Sequence, residues 1–180
     1  MSKLLIILSL WCLMACTAAD RQPAIPRPKA YPRPTLYAAD YKTCPISGSA
    51  MEISVNKSAE VVSTKPGWFD ISYPAYDITV NCTLTPITPE SLSSVLDNRR
   101  ERMALNLEGQ YGEMTQWDGV TIIVAPAAMR TPVQFLATDS ASFVLSGVAV
   151  GNYPAGASPD SIAPYVNAVA QDITHMLKQL

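Results

Sequence analysis

The sequence predicts an α+β fold, in which an antiparallel sheet of about six strands carries two packed helices. Two hydrophobic periods lead to this prediction. Over residues 76–84 apolar and polar residues alternate, which is the pattern of a half-buried strand. After residue 92, and again after residue 162, apolar residues recur every three or four positions, as on one face of a helix. The predicted order is three strands, a helix, three strands and a helix (βββαβββα).

The first three predicted strands cover residues 51–56, 68–73 and 76–84. The second and third are separated only by the short link Pro74-Ala75, which predicts a hairpin. In the third strand Cys82 shares one face with Ile78 and Val80. Its side chain is therefore expected in the core.

The first helix is predicted to begin at Pro89, with Thr88 as its N-cap and Glu90 in the first turn. Gly109 is expected to close it. Its apolar stripe consists of Leu92, Val95, Leu96, Met103 and Leu107.

Three more strands are predicted over residues 120–125, 132–138 and 143–150, with a turn at Asp139-Ser140. The first and the last of these are apolar on both faces, which is typical of central strands covered from both sides. The whole order resembles the PsbP/Mog1-like sandwiches, which is an analogy of fold alone.

The last helix is predicted to run from about Ser161 to the end of the sequence. Pro164 is tolerated only in a first turn, where its missing N–H would have no partner. Asp160 or Ser161 is therefore expected as the N-cap, because Ser158 would place the proline too deep in the helix.

Residues 1–15 are predicted to be a lipoprotein signal peptide. Lys3 gives a positive start, and an apolar run of about a dozen residues follows, too short for the roughly 20 residues of a membrane-spanning helix. The run ends at Ala15-Cys16, which resembles a bacterial lipobox. Cys16 is therefore the predicted lipidation site, where a thioether would carry a diacylglycerol. The alternative is an ordinary signal peptide in which Cys16 is incidental.

Residues 16–43 are predicted to be a lipid-anchored, Pro-rich tether, followed by a single α+β domain over residues 44–180. Prolines favour extended polyproline II, which at about 3.1 Å per residue gives a reach of up to ~80 Å. Tyr31 and Arg33 combine an aromatic ring and a guanidinium between fixed backbone turns, so they are binding candidates. A plain spacer is the alternative.

The charge balance argues against nucleic acid as a partner. The chain has 13 basic and 15 acidic residues, and its only basic cluster covers residues 99–102. Phosphate binding needs clustered positive charge. The expected partners are the membrane, through the lipid anchor, and a protein complex of the cell envelope.

Cys44 and Cys82 are the two cysteines expected to lie in the domain. Outside the cytoplasm an isolated pair is often a disulfide, so Cys44 and Cys82 are disulfide candidates. The alternative is two free, buried thiols. Two cysteines do not make a structural zinc site, which takes four ligands, so no metal is predicted.

Few residues of the sequence are candidates for a catalytic role. His175 is the only histidine, and its neighbours on the last helix, Asp172 among them, are mostly polar. It is interpreted as a solvated surface histidine, the alternative being a general base or a metal ligand. Asp118, Asp139 and Asp160 flank predicted turns, which favour aspartate for local backbone bonding over a carboxylate site. No phosphate-binding loop occurs, and no cofactor is predicted.

Trp68 and Tyr73 lie near strand edges and are candidates for a shallow binding surface. The alternative is that these aromatic side chains pack against the sheet.

Several segments together are similar to the gliding-motility lipoprotein GldD family of Bacteroidota. The resemblance covers most of the mature chain and rests on the lipobox Cys16, on Tyr31-Pro32-Arg33-Pro34, on residues 69–74, on residues 131–140 and on residues 159–164. It implies a cell-envelope lipoprotein needed for gliding and linked to the type IX secretion machinery. No enzymatic activity is attached to the family, so it supplies no catalytic residues.

Three functions follow, in order of preference. The first is a non-catalytic accessory of the gliding motility and type IX secretion machinery, anchored to the membrane and facing the periplasm. The second is a periplasmic ligand- or peptidoglycan-binding lipoprotein with a pocket between sheet and helix. The third, far behind, is an envelope hydrolase that uses His175 and an acidic partner.

Overall fold

A computed structural model of the chain describes residues 34–153 and 157–180. Within them lie nine strands and two α-helices. The elements are β1 (Tyr41–Pro45), β2 (Glu52–Asn56), β3 (Glu60–Lys65), β4 (Trp68–Tyr73), β5 (Ile78–Pro86), α1 (Pro89–Asn106), β6 (Glu113–Trp117), β7 (Val120–Val124), β8 (Val133–Thr138), β9 (Phe143–Gly151) and α2 (Pro159–Leu177). A single 3₁₀ turn, Pro74–Tyr76, joins β4 to β5.

Seven of these strands form one antiparallel sheet in the order β3-β4-β5-β9-β8-β7-β6, while β1 and β2 form a separate antiparallel hairpin. Two meanders, β3–β5 and β6–β9, meet where β5 pairs with β9 along nine residue pairs, from Ile78–Gly151 to Pro86–Phe143. The predicted fold class, an antiparallel sheet with two packed helices, is confirmed.

The sheet lies between two layers, and its two faces have different partners. The inner face packs against α2 and the β1–β2 hairpin, where Val80 and Phe135 of the sheet meet Ile173 of α2 in the larger core cluster. The outer face packs against α1, where Val144 and Leu136 belong to a smaller cluster with Met103. Each large apolar side chain fully buried here contributes about 1.5–3 kcal/mol.

Three strands were not predicted: β1, β3 and β6. β3 and β6 are the two edges of the main sheet, and their side chains are mostly exposed. An edge strand with both faces exposed to solvent lacks the alternation of apolar and polar residues that indicates a half-buried strand. The six predicted strands all occur, and the strands apolar on both faces, β7 and β9, lie inside the sheet, with β9 at its centre.

The start of α1 agrees with its prediction. Thr88 is the N-cap, Pro89 holds the first helical position, and the backbone N–H of Thr88 donates to Ser91 Oγ at 2.9 Å. The helix ends before Glu108 and Gly109, which both have positive φ (50° and 77°). Gly109 thus stands where a left-handed residue stops the helix.

The predicted start of α2 was wrong. Ser158 is the N-cap, Pro159 is the first helical residue, and Pro164 lies inside the helix. The N–H groups of Ser161 and Ile162 both donate to Ser158 O, at 3.0 and 3.3 Å, and so close the first turn around Pro159. Pro159 lacks an N–H at a position where none is needed. The helix tolerates the loss of the one backbone hydrogen bond that Pro164 cannot make.

The structure holds Cys44 and Cys82 as free thiols, so the predicted disulfide is absent from it and the alternative of two free thiols applies. Cys82 is fully buried on the inner face of β5, and its thiol donates to Val80 O at 3.7 Å. Cys44 lies half-buried on β1, in the separate hairpin. Burial raises the pKa of the Cys82 thiol.

Ordered contacts begin before Cys44, where the domain was expected to start. β1 begins at Tyr41, and Tyr37 packs against the larger core cluster. The hydroxyl of Tyr76 accepts a hydrogen bond from the backbone N–H of Tyr37, and Ala75 N–H donates to the Tyr37 hydroxyl at 3.1 Å. The chain is thus fixed to the 3₁₀ turn before it enters β1.

Candidate functional site

The predicted site residues fall into three groups. Cys16, Tyr31 and Arg33 lie outside the described residues. Tyr73 is 2% exposed and belongs to the core. Trp68 is 46% exposed on the other face of the same strand. The two aromatic candidates on β4 therefore do not form one surface, and the prediction that Tyr73 lines a contact surface was wrong.

Strand geometry explains this separation. Successive side chains of a strand point to opposite faces, so residues five apart lie on different sides of the sheet. Phe69, Ile71 and Tyr73 are all buried on the inner face. Tyr73 takes part in an aromatic cluster, with ring centroids 5.9 Å from Tyr76 and 6.4 Å from Tyr37.

A polar cluster joins the β1–β2 hairpin to α2. The imidazole of His175 stacks on the ring of Tyr41, with centroids 3.7 Å apart. His175 Nε2 lies 3.2 Å from Ser54 Oγ on β2, and the Tyr41 hydroxyl donates to Asp172 Oδ1 at 2.9 Å. Asp172 itself is buried, with 9% of its surface exposed.

The interpretation of His175 as a solvated surface residue was therefore wrong, because its ring stacks on Tyr41 and lies within hydrogen-bond distance of Ser54.

The sequence does contain a signal for the place of Asp172. Asp172 follows Val169 by three residues and precedes Met176 by four, and both of these are buried. Residues three and four apart share one helix face. That spacing was the signal in the sequence that Asp172 belongs to the buried face of α2.

The electrostatics of this cluster depend on Asp172. Burial raises the pKa of its carboxyl group, and side-chain hydrogen bonds from Tyr41, Asn56 and Tyr73 counteract part of that rise. Partial burial and the bond to Asp172 raise the pKa of Tyr41 to about 12. Burial, followed by the negative charge of Asp172, also raises the pKa of Tyr73.

The chemistry open to this cluster is limited by its bonding. Ser54 and His175 stand at the distance of a nucleophile and its base. In a catalytic triad the carboxylate would orient the imidazole. Here Asp172 accepts a hydrogen bond from the Tyr41 hydroxyl instead, and Asn56 Nδ2 donates to Ala38 O. The arrangement fastens the β1–β2 hairpin to the last helix.

A groove lies beside Trp68 on the outer face, between the sheet and the second half of α1. It encloses about 350 Å³. Its polar walls include Asn81, Thr83, Arg99, Arg102, Asn106 and Ser146. We call this hollow and these residues, with Trp68, the Trp68 groove. Here the predicted binding candidate Trp68 lies near Arg99 and Arg102 of the basic cluster that the sequence contains, and near polar side chains that the sequence did not single out.

Two positive charges face the Trp68 groove, and a third borders Trp68. Arg99 donates from Nη2 to Thr85 Oγ1 at 3.1 Å, which holds its guanidinium against β5. Burial, and then the like charge of Arg102, lower the pKa of Arg99. The ammonium of Lys65 lies over the Trp68 ring, 3.8 Å from its centroid.

The three aspartates assigned to turns have local roles. They are Asp118 in the β6–β7 turn, Asp139 in the β8–β9 turn and Asp160 in the first turn of α2. Asp139 Oδ1 accepts hydrogen bonds from the N–H groups of Ala141, Ser142 and Phe143 at 2.9–3.1 Å. Its small burial would raise the pKa of this carboxyl, but these bonds and one from the Ser142 hydroxyl hold it well below the usual range.

A family model described as the gliding motility lipoprotein GldD matches residues 21–180. The chain belongs to this family. The match includes both described segments, and with them the Trp68 groove and the His175 cluster. No curated protein matches the chain.

Membership in the GldD family makes the chain a gliding motility lipoprotein, held at a membrane of the cell envelope. Among residues 34–153 and 157–180, no helix is both long and apolar enough to cross a membrane. The same residues contain no group of three or more His, Cys, Asp or Glu side chains placed to hold a metal ion.

Proposed function

We propose that this GldD-family chain is a non-catalytic accessory component of the gliding motility and type IX secretion machinery. It would be attached to its membrane through a lipid on Cys16 and would face the periplasm. The observation that carries the proposal is the family match over residues 21–180. The mildly acidic composition supports a protein partner rather than nucleic acid.

The way the domain is attached supports this role. The chain enters through Tyr37, whose backbone and hydroxyl both bond to the 3₁₀ turn. β1 is then fastened to α2 through Tyr41 and Asp172. These contacts fix the point on the domain from which the predicted tether leaves, so a partner within the reach of the tether would meet a domain with one defined attachment point.

The bonding of the chain's single histidine supports a non-catalytic role. His175 stacks on Tyr41 and bonds to Ser54, and Asp172 accepts a hydrogen bond from the Tyr41 hydroxyl. A general base needs its free nitrogen within reach of a substrate proton. Here the polar atoms of the cluster connect three structural elements.

The proposal is tested by affinity capture of the tagged full-length protein from crosslinked, solubilised membranes of the native host, followed by mass spectrometry. We expect membrane-embedded motility or secretion proteins in the crosslinked fraction. A Cys16→Ala variant, which cannot be acylated, is expected to lose them. Recovery of the wild-type protein only as a lone species would contradict the proposal.

Catalysis and orientation are tested in the same strains. His175→Gln keeps a hydrogen-bonding group but no imidazole, so a strain carrying it should secrete, and glide where the host glides, as the wild type does. Loss of either function with unchanged protein level would favour the hydrolase alternative. Protease added to whole cells should leave the protein intact, and degradation there would contradict the periplasmic orientation.

A further inference from the structure

The Trp68 groove carries a concentration of positive charge that the described residues do not neutralise. Within residues 34–153 and 157–180 the ion pairs are Lys57–Asp40 and Arg100–Asp97. Neither of them involves Arg99 or Arg102. Two neighbouring guanidinium groups without a carboxylate partner repel each other, and a bound anion would relieve that repulsion.

Most of the exposed lining of the groove is apolar, and the amide side chains along it are held by hydrogen bonds of their own. Asn81 Nδ2 donates to Asp70 Oδ1 at 2.8 Å. Asn106 Nδ2 donates to Gln134 Oε1 at 3.1 Å, and Gln134 in turn donates to Met103 O at 3.3 Å. These bonds fix the amide planes, so the groove presents oriented acceptors and donors rather than mobile side chains.

An exposed aromatic ring completes the wall. Trp68 borders the groove with nearly half of its surface exposed, beside the hydroxyls of Thr83 and Ser146. The volume of about 350 Å³ falls in the range of ~300–1,000 Å³ typical of small-ligand sites. A ligand suited to it would be anionic, rich in hydroxyl or amide groups, and able to pack a flat apolar face on an indole.

A peptide segment suits this groove less well than a sugar. Peptide recognition commonly uses an open sheet edge, a deep apolar groove or an aromatic channel for prolines, and Arg clusters recognise acidic motifs. The Trp68 groove lies over β4, β5 and β9, whose backbone groups are already paired within the sheet. The chain's own tether is an unsuitable occupant, because it is basic at Arg21, Arg27, Lys29 and Arg33.

We propose that the Trp68 groove binds a carboxylate-bearing glycan with the chemistry of peptidoglycan. The carboxylates would pair with Arg99 and Arg102, and a sugar ring would pack on the face of Trp68 that Lys65 leaves uncovered. This binding is separate from the accessory role proposed above, so either can fail without the other.

The test is co-sedimentation of the purified full-length protein, in detergent, with insoluble peptidoglycan sacculi. We expect Arg99→Gln combined with Arg102→Gln to raise the apparent Kd at least about tenfold, since two charge-assisted contacts are lost. Arg102→Gln alone, at an exposed residue, should raise it by about threefold or more without loss of fold. Trp68→Ala should raise it about fivefold.

Arg100→Gln is the matched control. It removes the same charge from the same helix, but Arg100 pairs with Asp97 and borders the hollows on the other side of α1. Its Kd should stay within about twofold of the wild type. Thermal unfolding of each variant shows that the fold is retained.

Two further arms identify the ligand. An amidase hydrolyses the amide bond between the muramyl lactyl group and the stem peptide, which releases soluble glycan strands with one free carboxylate on each muramyl residue. These strands, added in solution, should displace the wild-type protein from intact sacculi, and failure to displace it would overturn the proposal. Poly-L-glutamate at equal carboxylate concentration should compete poorly. Full displacement by poly-L-glutamate would assign the groove to an acidic polypeptide and overturn the proposal. Failure of the wild type to sediment, or equal binding by the double variant, would overturn it as well.

Discussion

The imidazole of His175 lies nearly parallel to the phenol ring of Tyr41, with their planes 14° apart and their centroids 3.7 Å apart. Tyr41 opens the first strand, and His175 lies in the last turn of the last helix. The contact therefore joins the two ends of the described fold. Around it, Ser54 and Asp172 add hydrogen bonds from β2 and α2.

The bond from Tyr41 to Asp172 should contribute measurably to stability. Tyr41→Phe keeps the ring stacked on His175 but removes the hydroxyl donor, so the free energy of unfolding should fall by about 1–2 kcal/mol. Urea denaturation measures it. Tyr111→Phe is the matched control, because Tyr111 is 95% exposed and its hydroxyl should contribute less than about 0.5 kcal/mol. Equal effects of the two changes would contradict the assigned role of the bond.

Asp172 should make the folded state less stable as the pH rises. Its folded pKa is raised, so the stability it contributes is present below the ordinary carboxyl pKa of about 4 and is lost as the pH rises through the folded value. The free energy of unfolding of the wild type, minus that of Asp172→Asn, should therefore decrease from pH 4 upwards. A difference that stays flat or increases with pH would show that the folded-state pKa of Asp172 is not raised.

Asp139 should have the opposite effect on the pH dependence of stability, and over a lower pH range. Its folded pKa is depressed, so its contribution is present above about pH 4 and is lost as the pH falls towards the folded value. Asp139→Ala should cost about 1–2 kcal/mol at neutral pH, since three N–H groups lose their acceptor. Asp139→Asn, which keeps one acceptor oxygen, should cost less. A cost that is the same at pH 2.5 and pH 7 would contradict this assignment.

Cys44 and Cys82 should both be alkylated when the protein is unfolded without reductant, because neither is in a disulfide. In the native protein Cys44 should react well before Cys82, since burial raises the pKa of the Cys82 thiol and blocks access to it. Peptide mass spectrometry after timed alkylation measures both rates. A crosslinked Cys44–Cys82 peptide would refute the free-thiol assignment.

Gly147 should tolerate no side chain. A Cβ at this position would overlap two atoms of the Phe135 ring, so Gly147→Ala must displace a fully buried aromatic side chain. We expect a loss of about 1–3 kcal/mol in the free energy of unfolding. Ser146→Ala, one residue earlier and on the outer face, is the control and should cost less. Phe135→Leu should reduce the penalty of Gly147→Ala, and the absence of any rescue would contradict the steric explanation.

The fold class was predictable because the buried elements carry strong periodic signals. β5 alternates along its length, and β7 and β9 are apolar enough to be recognised as central strands. The edge strands carry no such signal, yet their turns do. Asp118-Gly119 and Pro66-Gly67 stand between β6 and β7 and between β3 and β4, and such pairs mark tight hairpins.

The site was less predictable, because it depends on which residues of distant segments meet. Trp68 was found from its type, but Arg99 and Arg102 join it only because α1 packs on β7, β8 and β9 and so borders β4 and β5 across the groove. The separation of Trp68 and Arg99 in the sequence does not predict that they line the same groove. The role of Asp172 was available from helix phase alone, whereas its partner Tyr41 lies 131 residues earlier in the sequence.

The docking of Tyr37 on the 3₁₀ turn fixes where a pull on the chain would reach the sheet. Tyr37 bonds to Ala75 and Tyr76, immediately after the Tyr73 end of β4. Trp68 stands at the other end of that strand, about 17 Å away at ~3.3 Å per residue. Tension arriving from upstream of residue 34 would therefore load one end of β4, and the Trp68 groove would lie at the unloaded end, free to engage its ligand while the domain is under strain.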